Sequence, residues 1–265
     1  MAKKVNLPVD LESIYNDYIK YENDVNVENR YKGKEEWYHA SGAGTCSRKL
    51  YYQSVEKREP SNETDARSNR IMRLGTILHN DLENALILYN NKVYNNIIYN
   101  KKEKDKSIIQ KEKIKFHTEE EVTIDDLKVR GFYDIVADVY GKIYLIDLKS
   151  IGSFAYSLKF GRKSESNPSQ HYELQLGTYG NAVKEKFGRL DGMYLAFYNK
   201  DTSRLRFAEV PMSYLNLAWN FWKNINEEHK AGLPMFNMGT SPVQKWNCGY
   251  CPYLDICNPP FKLEK

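Results

Sequence analysis

Residues 131–150 read GFYDIVADVYGKIYLIDLKS, and this stretch decides the fold. Two apolar runs flank Tyr140-Gly141, which is a turn signal, and together they predict a β-hairpin. Alternate residues of a strand share a face, so Asp147 and Lys149 point the same way at the end of an otherwise apolar strand. A carboxylate and an ammonium group in that position cost free energy unless they are paired or used.

The hairpin also places a second carboxylate. If Tyr140 and Gly141 are the two loop residues, Asp134 lies opposite Asp147 across the ladder, where like charges are destabilising. A divalent cation between them would remove the repulsion, and oxygen ligands suit Mg²⁺ or Mn²⁺. A loop that is longer by one residue would break this register, and an ordinary exposed hairpin with charged residues at its edge is the alternative.

Two helical pairs accompany the hairpin. In RLGTILHNDLEN (73–84), His79 and Glu83 are four apart on one helix face, and Gly75 lies one turn earlier, where a side chain would obstruct close approach. In HYELQLGTYG (171–180), Gln175 and Tyr179 have the same spacing. Each pair alone is typical of an ordinary helix surface. Their occurrence together with the hairpin indicates a site.

The chain has four cysteines, and three of them, Cys248, Cys251 and Cys257, form a C-x2-C-x5-C cluster. Together with Cys46 they offer four thiolates, a set that zinc and iron–sulfur clusters both use. Zinc ribbons usually pair two C-x2-C knuckles, and only one is present here, so the spacing favours a cluster without excluding zinc. Four unrelated buried cysteines are a third reading. Joining Cys46 to the other three would staple distant parts of the chain together.

Basic and aromatic residues in two places are candidates for a nucleic-acid surface. Arg48, Lys49 and Tyr52 follow Cys46, while Arg162 and Lys163 lie in a polar loop predicted at 159–170. Positive charge with aromatic rings suits single-stranded nucleic acid, through phosphate contacts and base stacking. A solvated charged edge is the alternative, as it is for the Lys-rich run at 101–115.

Hydrophobic periodicity predicts the remaining elements. Helices are expected at 69–90, 171–187 and 213–231. Strands are expected at 122–124, 127–139, 142–150, 192–199 and 204–210. Weaker helical spacing predicts an N-terminal helical extension over 1–40, followed by one domain over 41–265. This order predicts an α/β (α+β) core with a helical cap.

Composition narrows the class of protein. Lys plus Arg is 39 and Asp plus Glu is 35, and the net charge of +4 permits a polyanionic partner without requiring one. No apolar run approaches the ~18 residues that a membrane helix needs, and the first residues, MAKKVNLPVD, lack the apolar stretch of a signal peptide. We therefore expect a cytoplasmic protein. The chain has no G-x4-G-K-[ST] motif, so a helicase motor would be a separate protein.

Five motifs in order, from about Ser41 to Cys257, resemble a known family: LGTILHNDLE, GFYDIV, LIDLKS, QLGTY and the four cysteines. They resemble the RecB-like branch of the PD-(D/E)XK nuclease superfamily, most closely the CRISPR-associated nucleases of the Cas-four type and their phage-encoded relatives. The "PD" of the motif is Tyr133-Asp134 here, as is common in that branch. The resemblance implies a restriction-endonuclease-like core, with a central mixed β-sheet flanked by helices and an iron–sulfur staple that joins N- and C-terminal parts.

The resemblance also implies roles for single residues. Lys149 would orient or activate water and stabilise charge on the phosphate. Gln175 and Tyr179 match an element that positions the strand, and Glu83 matches an acidic position of less certain role. The implied ligands of Mg²⁺ or Mn²⁺ are His79, Asp134, Asp147 and the backbone carbonyl of Leu148. The implied ligands of a four-iron four-sulfur cluster are Cys46, Cys248, Cys251 and Cys257.

The implied function is a metal-dependent deoxyribonuclease, a single-strand-specific exonuclease in phage or CRISPR-related DNA processing, recombination or replication. The implied partners are DNA that is single-stranded or has a free end, and a CRISPR integrase or a phage recombination or replication protein. Two alternatives stay open: a nuclease subunit active only with a helicase or integrase partner, and a non-catalytic iron–sulfur DNA-binding module. The second predicts loss of a metal ligand or of Lys149, and all of these residues are present.

Overall fold

The computed structural model describes residues 10–31, 37–61, 65–91, 114–161, 170–234, 248–249 and 251–257. The helices in these ranges are α1 (Leu11–Tyr31), α2 (Ser47–Leu50), α3 (Ala66–Asn90), α4 (Ser153–Phe160), α5 (Gln170–Phe187), α6 (Tyr214–Lys230) and α7 (Leu254–Cys257). The strands are β1 (Tyr38–His39), β2 (Ile114–Ile124), β3 (Val129–Val139), β4 (Lys142–Ile151), β5 (Gly192–Asn199) and β6 (Leu205–Val210). None of the helices in these ranges is both long enough and apolar enough to cross a membrane.

One mixed sheet organises the molecule. Its order is β1-β3-β4-β5-β6, and β2 pairs with β3 on the other edge of that strand. The β2–β3, β3–β4 and β5–β6 pairs are antiparallel, whereas β1–β3 and β4–β5 are parallel. Helices flank this sheet, so the mixed α/β class predicted from the sequence is confirmed.

The β3–β4 hairpin has the two-residue loop that the sequence predicts. Tyr140 and Gly141 both have positive φ, +56° and +78°, as a type I′ turn requires. The twist of this turn matches that of the flanking strands, and it sets the register in which Val139 pairs with Lys142. The register inferred from the sequence is confirmed as far as the last pair of the ladder.

The strands β3 and β4 separate directly after the last pair of their ladder, which is Ile135 with Ile146. On the same edge of β3, β1 pairs only with Val129 and Arg130, while β2 occupies the opposite edge. In the described part of the chain, no strand therefore pairs with this edge of β3 from Gly131 to Asp134. The result is a gap in the sheet, bounded by β1 at one end and by β4 at the other.

Three elements depart from the expectations. β2 begins at Ile114, eight residues before the predicted strand, because the charged residues at 115–121 hide its alternation. The helix α4 occupies a segment in which the sequence pattern predicted no element. The helix α3 has an apolar stripe, but none of its residues is buried. Asp65 caps its N-terminus by accepting a hydrogen bond from Ser68 N.

The core lies where α5 and α6 pack on the sheet. Trp222 of α6 is fully buried and donates to Thr178 Oγ1 of α5 over 2.9 Å. Gly177 lets the two helices approach closely, because a Cβ at this position would clash with the carbonyl oxygen of Tyr214. This contact fixes the position of α5, which carries Gln175 and Tyr179 toward the gap in the sheet.

We expect Gly177→Ala to lower the free energy of unfolding by about 1–3 kcal/mol, because overpacking would force α5 and α6 apart. Urea unfolding followed by circular dichroism measures this change. Gly152→Ala is the control, since its φ is −77° and a Cβ there would lie 3.7 Å from Asp201 Oδ2, an ordinary contact distance. Equal losses in the two variants would contradict the close packing of α5 on α6.

Candidate functional site

The gap in the sheet collects the residues of the candidate site. Asp134 and Asp147 stand one position beyond the last β3–β4 pair, where the strands part. The Asp134 carboxylate accepts a hydrogen bond from Leu148 N–H over 2.7 Å, and its Oδ2 lies 3.5 Å from His79 Nδ1 of α3. Gly75 permits this approach of α3, since a Cβ there would lie 3.0 Å from Ser150 Oγ of β4.

Glu119 joins this group, and sequence reasoning missed it. On either side of it, Thr118 pairs with Ile135 and Glu120 with Tyr133, so Glu119 stands opposite Asp134. Its φ of +50° is a left-handed conformation, which costs free energy in a residue other than glycine and is typical of functional sites. The register of β2 against β3 could have revealed it, but three successive glutamates at 119–121 gave no reason to prefer one.

His79, Glu119 and Asp134 form a cluster of potential cation ligands. One ring nitrogen and two carboxylate oxygens, one from each residue, lie within 4.8 Å of one another. Glu83 lies beside the cluster and accepts a hydrogen bond from Thr118 Oγ1 over 3.2 Å. A void of about 10 Å³ lies between these residues, with Leu148 on its wall, and this is close to the space that one water-sized sphere needs.

Asp147 and Lys149 form a buried ion pair beside the cluster. Lys149 Nζ lies 2.7 Å from Asp147 Oδ2, and only 1% of the Asp147 surface is exposed. Apart from this ion pair, neither Asp147 oxygen has a hydrogen-bond partner among the described residues. Burial raises the pKa of the Asp147 carboxyl group, while the charge of Lys149 opposes that shift.

The QxxxY pair completes the wall of the gap. Lys149 Nζ donates to Gln175 Oε1 over 3.2 Å, and Gln175 Nε2 lies 3.5 Å from the Tyr179 hydroxyl. Tyr179 packs against Gly131, where a Cβ would lie 2.7 Å from its ring. Seven side chains were expected to take part in catalysis or metal binding. The structure brings six of them together around β3 and β4, and the seventh, Glu83, lies at the rim.

These residues fit a divalent cation. Carboxylate oxygens with one imidazole nitrogen are a donor set that Mg²⁺ and Mn²⁺ accept. Asp134 and Glu119 are opposed like charges that a cation would relieve. The buried Asp147 carboxylate lies on the next strand, close enough to Asp134 that the charge of Asp134 raises the pKa of Asp147.

The four cysteines also lie near one another. They form no disulfide. Burial raises the pKa of the Cys248 thiol, and the other three cysteines contribute to the same shift. The four thiols are therefore close enough to influence one another.

A buried polar network holds α2, which follows Cys46. Ser47 Oγ donates to Glu228 Oε2 over 2.6 Å, and His229 Nε2 lies 3.1 Å from the Ser47 carbonyl oxygen. The Tyr38 hydroxyl lies 2.7 Å from His229 Nδ1. Ser47 and His229 therefore anchor α2 to the end of α6, and the serine hydroxyl is already engaged with a carboxylate.

The candidate DNA-binding residues have mixed placements. Arg48 donates to the carbonyl oxygens of Pro234 and Cys257 over 2.8 and 3.1 Å, so it has structural contacts. Tyr52 is only 4% exposed and packs against Tyr253, which corrects the expectation that its ring is available for base stacking. Lys49 lies near Cys251 and opposes the rise in its thiol pKa that burial causes. Arg162, Lys163 and the Lys-rich run at 101–113 lie outside the described residues.

Comparison with known proteins gives a matching family model and similar solved structures. The family model described as PD-(D/E)XK nuclease superfamily matches residues 91–258, more than half of the chain. The crystal structure of SSO0001 is similar with a TM-score of 0.56 and 19% identity, over 95% of this chain and 98% of that chain. A candidate exonuclease from Eubacterium rectale is similar with a TM-score of 0.50 and 19% identity, over 89% and 94%. These likenesses concern the fold alone, and curated protein sequences give no match.

We expect Glu119→Gly to stabilise the metal-free protein by up to about 1 kcal/mol, because it removes a left-handed side-chain conformation and a charge opposite Asp134. The same change should weaken Mn²⁺ binding at least about tenfold, since it removes a ligand. Urea unfolding in EDTA and titration calorimetry with Mn²⁺ measure the two effects.

The matched control is Glu121→Gly, two residues further along β2. Glycine weakens a strand, so this variant should lose stability and keep its Mn²⁺ affinity. Equal Mn²⁺ affinities of the two variants would exclude Glu119 as a ligand.

Proposed function

The chain belongs to the PD-(D/E)XK nuclease superfamily, and from this premise we propose that it is an Mg²⁺- or Mn²⁺-dependent deoxyribonuclease acting on DNA with a single-stranded or free end. One observation carries the proposal: His79, Glu119 and Asp134 converge within 4.8 Å beside the buried Asp147–Lys149 ion pair. Carboxylates that converge on a cation site, next to a fixed ammonium group, are suited to phosphodiester hydrolysis.

The cation would be held by four side chains at the gap in the sheet and by one backbone carbonyl oxygen. The proposed ligands are His79, Glu119, Asp134, Asp147 and the carbonyl oxygen of Leu148. When bound, such an ion would lower the pKa of a water molecule and neutralise charge on the phosphate.

The other residues orient the reacting groups. In hydrolysis, a water oxygen attacks phosphorus, the bond from phosphorus to the leaving ester oxygen breaks, and that oxygen takes up a proton. Lys149 supplies a positive charge where negative charge develops on the phosphate, and Asp147 and Gln175 hold its ammonium group in place. Tyr179 packs on Gly131 and would form the wall against which the DNA strand lies.

We also propose that the cysteines bind a four-iron four-sulfur cluster. Their proximity supports a shared centre, and the presence of only one C-x2-C knuckle favours a cluster over a zinc ribbon. When bound, the cluster would tie α2 to the C-terminal segment. Its ligands would be Cys46, Cys248, Cys251 and Cys257.

The motif order supports an exonuclease of CRISPR adaptation or of phage recombination or replication, in the cytoplasm of a cell. Activity only within a complex, with an integrase or a helicase, is the alternative. The exonuclease name of the Eubacterium rectale neighbour supports a cut from a free end, although that name belongs to a protein with 19% identity.

We expect Lys149→Ala to lower cleavage of end-labelled single-stranded DNA at least about 10²-fold, because a charge that stabilises the transition state is lost. DNA binding should stay within about twofold of wild type. Lys142→Ala, an exposed change at the start of the same strand, is the control and should cut normally. EDTA should abolish cutting by all three proteins.

Wild-type cleavage rates in Lys149→Ala would refute the role of this lysine. Asp134→Asn gives a second test if the lysine variant is unstable. A folded wild-type protein that does not cut with either metal would favour the complex-dependent or binding-only alternative.

We expect Cys248→Ser to lower iron and sulfide content, brown colour and thermal stability in anaerobically purified protein, because one cluster ligand is lost. Metal analysis and thermal melts followed by circular dichroism measure this. Unchanged stability and metal content would exclude the staple, and stoichiometric zinc in place of iron would replace the cluster by a zinc site.

A further inference from the structure

The cavity that contains the candidate metal site continues along β3, away from the acidic residues. Its volume is about 250 Å³, and its walls include His79, Asp134 and Lys149 at one end and His39 and Arg130 at the other. The far end coincides with the pairing of β1 on β3, where His39 is the partner of Arg130. The gap in the sheet is thus a trough with acidic residues at one end and Arg130 at the other.

We propose that Arg130, with His39 and Ser41 beside it, binds a phosphate group of the DNA strand other than the one that is cut. This inference rests on the proposed function and adds a second anchor for the strand within the same cleft. The ligand chemistry is a phosphate, either an internal phosphodiester or the monophosphate at a strand end.

The position of Arg130 separates it from the reacting phosphate. Arg130 and Asp134 are four residues apart on one strand, which corresponds to about 13 Å between their Cα atoms. A single phosphate group does not span that distance, so the two ends of the trough contact different groups of the strand. An anchor at the far end would then determine which linkage lies at the metal site.

The chemistry of the far end suits an anion. Arg130 is 3% exposed and lines the cavity, so water would weaken an ionic interaction of its side chain only a little. The planar fork of arginine matches two oxygens of a phosphate group. Burial and the charge of Arg130 lower the pKa of His39 to about 4, so its imidazole is neutral at pH 7 and carries one N–H group. The Ser41 hydroxyl adds a further donor on the same wall.

The two ends of the trough therefore carry charges of opposite sign. This matches a DNA strand that is held through a cation at one phosphate and directly by the protein at another. At the acidic end, Glu119 and Asp134 need a cation before a phosphate can approach. At the Arg130 end, a phosphate can bind without one. Metal-free binding of DNA should for this reason depend on Arg130 more than on the acidic residues.

The first experiment measures binding of a fluorescent single-stranded oligonucleotide in EDTA. Arg130→Gln should weaken binding about tenfold or more, and Arg130→Lys should lie between it and wild type, because lysine keeps the charge without the fork. Arg204→Gln, an exposed arginine in the β5–β6 turn, is the control and should bind like wild type. Thermal melts confirm that each variant is folded. Wild-type affinity in a folded Arg130→Gln would overturn the proposal.

The second experiment locates the phosphate, and it needs no variant. Oligonucleotides that each carry one uncharged methylphosphonate linkage are compared in wild-type binding, along with strands that have a phosphate or a hydroxyl at either end. Loss at one internal position would identify a phosphodiester, and loss only with a terminal hydroxyl would identify an end monophosphate. In Arg130→Gln the same replacement should have no further effect. A flat profile, or no binding at all by wild type, would overturn the proposal.

These outcomes separate the subsite from the proposed catalysis. Binding is measured without metal and without cutting, so a position-specific loss in a protein that never cuts would leave the Arg130 site standing while the nuclease proposal fails. Cutting by a protein with a flat profile would do the reverse.

Discussion

The separation of β3 and β4 after the Ile135–Ile146 pair is the constraint on which the site depends. An antiparallel ladder that continued past this pair would bring Asp134 and Asp147 directly opposite each other and fill the edge of β3 with hydrogen bonds. Because the strands part, that edge faces a cavity instead. β1, α3 and α5 then close the cavity on its remaining sides, and each delivers side chains to it. The geometry of the candidate site is thus a consequence of where pairing stops.

The charged residues at the gap do not favour folding by themselves. Asp134 and Glu119 stand opposite each other, and Glu119 adopts a left-handed conformation. Asp147 is buried with one ammonium partner, Lys149. Buried ion pairs contribute little net stability, and opposed carboxylates reduce it. The surrounding core, especially the packing of Trp222 and Gly177 between α5 and α6, must supply the free energy that this arrangement costs.

The sequence predicts the frame of the site well and its finer composition less well. Tyr140-Gly141 specifies a two-residue loop, which fixes the register and so the location of Asp134 and Asp147. The periodicity of α3 and α5 places His79, Gln175 and Tyr179 on faces that meet at the gap.

Other residues depend on tertiary contacts that no local pattern encodes. Glu119 lies in a charged run whose alternation is hidden, and its role depends on the pairing of β2 with β3. Arg130 looks like any basic residue in a strand until β1 is seen to end the gap there. Tyr52 is aromatic and lies near basic residues, but its contact with Tyr253 from the other end of the chain buries it. The cysteine region is linked to the cleft by a continuous set of contacts: Ser47 and His229 join α2 to α6, and α6 packs on α5, whose Gln175 holds Lys149. A staple at the cysteines would therefore act on cutting through the position of α5 and not through contact with the reacting phosphate.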